Sequence, residues 1–212
     1  MLPSIWFVLY ENIIYEFNEL WEKASWNQCF DILEIMLQDE YCDIDFKCGI
    51  NEIFEEEKMG YRIIDDQIVD ITNELEIEEI EEAIDSNFNI VNNHIQKSLE
   101  LYSDRKNPDY KNSIKESITA VESMCCIICG EKVELGKALG RLEKNGIYIH
   151  GAMKNGFQAL YGYTSDESGI RHGGIEDKEV TEEDAKFMLI TCSAFVNYLK
   201  VKFNKMKENS NG

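Results

Sequence analysis

The chain has 212 residues, 44% of them hydrophobic, and a formal net charge of -20 at pH 7. That length suits one domain or two small ones, with enough apolar content for a core. The longest apolar-leaning run, residues 5–17, is broken by Glu11 and Asn12 and has no Lys or Arg before it. We therefore expect neither a membrane span nor a signal peptide.

The charge is unevenly spread. Residues 1–86 hold 24 Asp and Glu against 4 Lys and Arg, a net of 4 − 24 = −20, whereas residues 87–212 balance 17 acids with 17 bases. An acidic first part repels phosphate, so an RNA contact is expected on the neutral C-terminal part. Such an acidic face also serves simply to keep a cytoplasmic protein soluble. Seven scattered cysteines, an odd number, read as reduced thiols and point to the cytoplasm.

In chain order, residues 4–24 place Trp6, Leu9, Ile13, Phe17 and Leu20 on one helical face. Ser25 or Asn27 can cap a second helix over 26–38 with Phe30, Leu33 and Leu37 inward. A third, over 46–58, carries Phe46, Ile50, Ile53 and Phe54, with Gly60 as its expected stop. In residues 61–71, Ile and Val flank Asp65-Asp66, the pattern of a small β-hairpin. Thr72 or Asn73 then caps an acidic helix over 74–85, with Ile77, Ile80 and Ile84 as its apolar seam.

Residues 88–103 turn Phe88, Val91, Ile95, Leu99 and Tyr102 inward, and His94 reads as a partly buried structural histidine. Pro108 breaks the polar stretch 104–112. Residues 113–129 then recur as Ile114, Ile118, Val121, Cys125 and Ile128, with Glu122 at the edge of the stripe. Shorter helices are expected over 132–144 and 152–161. Thr181 with Asp184 has capping-box form and opens a long, central helix to about Lys205, on which Phe187, Met188, Leu189, Cys192, Phe195 and Leu199 surround much of the axis. The pattern predicts a mainly α fold.

Three groups of residues could carry chemistry. Cys125, Cys126 and Cys129 include a Cys-x-x-Cys but have no second ligand pair at zinc spacing, so they read as core. The acidic clusters Glu55–Glu57 and 74–82 lack the spacing of a calcium loop. No metal and no cofactor is expected. The third group is Arg171-His172 in the Gly-rich run 161–174. Imidazole transfers protons near neutral pH and guanidinium holds phosphoryl oxygens, so the two could cleave RNA through its own 2′-hydroxyl without metal. Neighbours on a helix diverge by about 100°. Convergence on one phosphate therefore requires a loop, or two subunits across a twofold axis. Alternatively, Arg171 pairs with Glu122 or another acid and pins the loop.

The phrases SIKESITAVES (113–123), LYGYTSDESGIRHGG (160–174) and DAKFMLITCSAFVNYL (184–199) resemble the C-terminal region of AbiJ-type abortive-infection proteins of bacteria. So do residues 60–84 and 94–117, and the resemblance runs from about Phe54 to Leu199. It implies a HEPN-like helical bundle over 87–207 behind an acidic N-terminal domain, 1–86, and a role in phage defence. It also implies a homodimeric, metal-independent ribonuclease with Arg171, His172 and Glu122 as catalytic residues, RNA as substrate and a regulatory partner protein. Catalytic HEPN domains place a histidine after the arginine with four to six residues in between. Here Glu176, Asp177 and Lys178 occupy those places and His172 follows Arg171 directly. The alternative implication is a non-catalytic helical interaction or RNA-binding module.

Overall fold

The computed structural model describes residues 5–39, 41–132, 135–165 and 180–211. It is mainly α, with one two-stranded hairpin among the described residues. The chain divides into two compact units at Met59/Gly60.

The first unit contains α1 (Ile5–Lys23), α2 (Trp26–Leu37) and α3 (Ile44–Glu56). Of the two candidate caps for α2, Ser25 is used. Its side chain accepts from the Gln28 backbone N–H while Gln28 returns a bond to the Ser25 N–H, so two orphan donors of the first turn are satisfied reciprocally. Phe30, Leu33 and Leu37 are buried as the spacing predicts. Asp43 caps α3, accepting from the Phe46 N–H at 2.9 Å. Phe54 of α3 meets Phe30 of α2 with ring centroids 5.9 Å apart.

One expectation for this unit fails. Gly60 does not stop α3. Lys58 takes the left-handed conformation, φ 54°, and the Met59 N–H then reaches back to the Phe54 carbonyl at 2.8 Å, ending the helix earlier. Ile53, Phe17 and Leu20 are exposed.

The second unit opens with β1 (Arg62–Ile64) and β2 (Gln67–Val69), antiparallel with Ile63 opposite Ile68. Asp65 alone has positive φ, 55°, the pattern of a type II′ rather than a type I′ turn. Ile63, Ile64, Ile68 and Val69 are all buried. Three residues lead to Asn73, which rather than Thr72 caps α4 (Glu74–Ile84), accepting from the Glu76 N–H at 3.2 Å. Ile80 and Ala83 are fully buried in the core, and Ile77 and Ile84 pack against it. The hairpin and α4 thus pack with the helices that follow them, although their charge resembles that of the residues before.

The bundle is completed by α5 (Asn89–Ser103), α6 (Tyr110–Cys129) and α9 (Glu182–Asn211), with α7 (Leu135–Arg141), a 3-10 turn (Glu143–Asn145) and α8 (Gly151–Ser165) at its side. Helix α6 starts earlier than Ser113 because Asp109 caps it, accepting from the Asn112 N–H at 3.0 Å. Helices α5 and α6 meet over serines. The hydroxyls of Ser98 and Ser113 each donate 2.8 Å to the other residue's carbonyl, and Ser98 and Ser117 hydroxyls lie 2.7 Å apart. Such small, mutually satisfied side chains let two backbones approach without stranding a polar atom. His94 has the structural role expected of it, with Nδ1 2.6 Å from Oε2 of Glu116.

Helix α9 packs against α4, α5 and α6 and is the centre of the unit. Met188, Leu189, Cys192, Phe195 and Leu199 are buried as expected, but Phe187 is exposed, because the face it shares is left to solvent at this end. The helix also runs past Lys205 to Asn211. Within its buried stretch lie Asn197 and Lys200. Asn197 Nδ2 donates to the Glu79 carbonyl at 2.9 Å and to its carboxylate at 2.8 Å, and the Lys200 ammonium donates to the Glu82 carbonyl. The Glu82 carbonyl is one of the open carbonyls of the last turn of α4, where a cation is favoured.

Candidate functional site

Helix α6 carries Glu122 into the bundle. Its neighbours one turn away, Ile118 and Cys125, are buried, and Glu122 itself is half-buried, the edge position its spacing implies. Burial, then the neighbouring Cys129 and Cys126 thiols and the Glu122 carboxylate, push the Cys125 thiol well above its ordinary value. Burial alone pushes Cys192 up to about 12. Neither is a thiolate nucleophile at neutral pH. All seven cysteines are free, and the described residues hold no group of three or more His, Cys, Asp or Glu placed to bind a metal ion.

Arg171 and His172 fall between the end of α8 at Ser165 and the start of α9 at Glu182, outside the described residues. Of the three expected catalytic residues, Glu122 is therefore the one with a described position.

What the structure does place at the head of α9 is a chain of acids and phenols. Thr181 caps the helix, its N–H and hydroxyl both meeting the Asp184 carboxylate, at 3.1 and 3.2 Å. The next residue, Glu182, hydrogen-bonds through its side chain to Asp70, which directly follows β2. Asp70 in turn accepts from the Tyr102 hydroxyl at 2.6 Å. The Tyr110 hydroxyl lies 3.5 Å from Glu182 Oε2, and the two tyrosine rings are 6.1 Å apart. Lys186, one turn into α9, adds positive charge near Asp70 and pairs with Glu76 of α4 at 3.7 Å.

Two carboxyl groups in one hydrogen-bonded pair cannot both ionise cheaply. The bond to Asp70, then burial, then the Asp70 charge, raise Glu182 from its ordinary 4.5 to about 7. Burial works in the other direction from the net result at Asp70, but bonds from Glu182 and Tyr102 and the charge of Lys186 bring it below its usual range. Burial, the bond to Asp70 and its charge push the Tyr102 phenol far up. The pair thus holds one proton across the acid-to-neutral range. It also fixes the first turn of α9 against the β2–α4 connection.

The reading of the residues alone marked Glu182 as part of a capping motif and Tyr102 as a core position, and missed the partnership. Capping is encoded within four residues. The Asp70–Glu182 contact joins positions 112 apart, and no local pattern announces it.

Residues 2–86 match the family model described as AbiJ N-terminal domain 4. No curated protein and no solved structure matches the chain. No helix among the described residues is long and apolar enough to cross a membrane.

Proposed function

We propose that this protein acts in bacterial abortive infection, and that its C-terminal bundle is a HEPN-like, metal-independent endoribonuclease. The observation that carries the defence role is the match of residues 2–86 to AbiJ N-terminal domain 4. The ribonuclease reading is supported by the position of Arg171-His172 in the sequence, in the stretch that leads into the last and central helix, and by an acid on an earlier bundle helix, Glu122.

In this reading two copies bring their Arg171-His172 segments together. Arg171 steadies the phosphate oxygens as charge builds on them. His172 takes the proton from the ribose 2′-hydroxyl, whose oxygen then bonds to the adjacent phosphorus. The bond to the 5′ oxygen breaks and that oxygen is protonated, leaving a 2′,3′-cyclic phosphate and a 5′-hydroxyl. Glu122 orients one of the two catalytic groups.

The test incubates the purified full chain with total RNA in EDTA. Cleavage that yields 2′,3′-cyclic phosphate ends, and is lost in both Arg171→Ala and His172→Ala at unchanged melting temperature, is the expected result. Cleavage retained in both variants removes these residues from the mechanism. An inactive wild type whose two variants melt early identifies a non-catalytic helical interaction module instead.

A further inference from the structure

Helix α1 presents an apolar stripe to solvent. Ile14, Phe17, Leu20 and Trp21 fall within about 120° of one helical face at 100° per residue, and they are 42%, 37%, 56% and 37% exposed. Phe17 and Trp21 stack with centroids 5.9 Å apart, so the stripe is a continuous ridge. An amphipathic helix of a stable domain buries a stripe of this width, and an uncovered one marks a contact surface. The surplus extends through the first unit. Eleven of the seventeen large apolar side chains exposed among the described residues lie between Ile14 and Ile53, whereas the buried ones in that unit are Phe30, Leu33, Leu37 and Phe54.

Charge decides what can cover the stripe. Residues 1–59 contain 14 Asp and Glu against 3 Lys, a net of 3 − 14 = −11. Glu16 borders the stripe beside Leu20 and Glu22 lies towards its other edge, while the one lysine of α1, Lys23, is paired with Glu19. An acidic rim around an apolar ridge repels nucleic acid, an anionic lipid surface and the same ridge of a second copy. It attracts a helix with apolar residues on one side and Lys or Arg at its borders, the complement that such grooves and ridges recognise at i, i+3, i+4 and i+7 spacing.

We propose that the α1 stripe is the docking surface for a cationic amphipathic helix of another protein. Leu20 and Trp21 insert into the apolar side of that helix, and its basic flanks face Glu16 and Glu22. This surface stands apart from the ribonuclease reading and survives its failure.

Binding of the full chain to two fluorescent Leu/Lys peptides of about 18 residues, five helical turns, tests the proposal. One peptide has an amphipathic period and the other is a scramble of equal composition and charge. The wild type is expected to bind the amphipathic peptide at least tenfold more tightly than the scramble. Ile14→Glu/Leu20→Glu should abolish that preference, and Tyr148→Glu/Met153→Glu, an equal charge step at two exposed sites of the second unit, should keep it. The milder Leu20→Gln should weaken the preference and guards against a misfolded double variant, with circular dichroism checking both. Equal binding of the two peptides by the wild type, or a preference that survives Ile14→Glu/Leu20→Glu, overturns the proposal. So does a wild-type dimer in sedimentation that Leu20→Gln dissociates, because the stripe is then taken by a second copy.

Discussion

The hydroxyl of Tyr102, a buried residue of α5, donates a 2.6 Å hydrogen bond to Oδ1 of Asp70, the residue that closes the hairpin. Through Asp70 it is connected to Glu182 at the head of α9. Tyr102→Phe keeps the ring in the core and removes this one bond. Hydrogen bonds to charged groups are worth about 1.5–3 kcal/mol, and the solvent that reaches Asp70 puts this one near the lower end. We expect a loss of about 1–2 kcal/mol in urea unfolding, with a melting temperature lower by about 2–8 °C. An unchanged midpoint would show that water replaces the phenol without cost.

Stability should fall as pH rises through neutrality. The folded pKa of Glu182, about 7, lies above its ordinary 4.5. Between those values the native state holds a proton that the unfolded chain has lost, so the contribution is complete below about 4.5 and is lost as pH rises through 7. Asp70 runs the opposite way, because its folded pKa is depressed, and its contribution disappears only at more acid pH. Glu76, Glu183 and Lys186 also face this junction. Glu182→Gln keeps a donor towards Asp70 without a titrating proton, so its melting temperature should be flatter than the wild type's between pH 5 and about 8. Parallel profiles for the two proteins would assign the pH response to other groups.

Ser98 sits where α5 and α6 approach through hydroxyl–carbonyl bonds. Ser98→Val adds volume in a fully buried site and takes a partner from the Ser117 hydroxyl and the Ser113 carbonyl, while the Ser113 hydroxyl keeps the residue-98 carbonyl. Stranded polar atoms and overpacking each cost about 1–3 kcal/mol. The destabilisation should exceed that of Ser98→Ala, which adds no bulk. Equal effects would mean that the interface has room to give.

At Lys58 a stabilising change is expected. At φ 54° it pays the left-handed penalty that glycine escapes. Lys58→Gly should stabilise the end of α3 by about 1 kcal/mol, read as slower amide exchange at Met59, whose N–H bonds to Phe54. Faster exchange would show that the lysine side chain matters more than its backbone.

Most elements of the fold could be read from the chain because their causes are local. Ser25 with Gln28, Asn73, and Thr181 with Asp184 are caps spelled out within a turn. Ile63, Ile64, Ile68 and Val69 flank Asp65-Asp66 in one short hairpin. Where reading failed, the cause lay in a competitor or in tertiary context. Asp109 supplies an N-terminal acceptor that starts α6 ahead of Ser113, after the break at Pro108, and Lys58 ended α3 before Gly60 could. Periodicity showed that Phe17 and Leu20 share a face but not that the face remains uncovered. For the candidate site, the half-buried edge position of Glu122 was legible, whereas the shared proton of Asp70 and Glu182 needed three dimensions.

Helix α9, thirty residues and therefore about 45 Å long, is moored twice by different means. Midway, Asn197 and Lys200 grip backbone carbonyls of α4. At its leading turn the mooring is a carboxyl pair whose hold depends on a single hydrogen ion. A change in acidity therefore loosens the rod at one tip while its middle stays berthed, and that tip is where the stretch bearing Arg171 and His172 joins it.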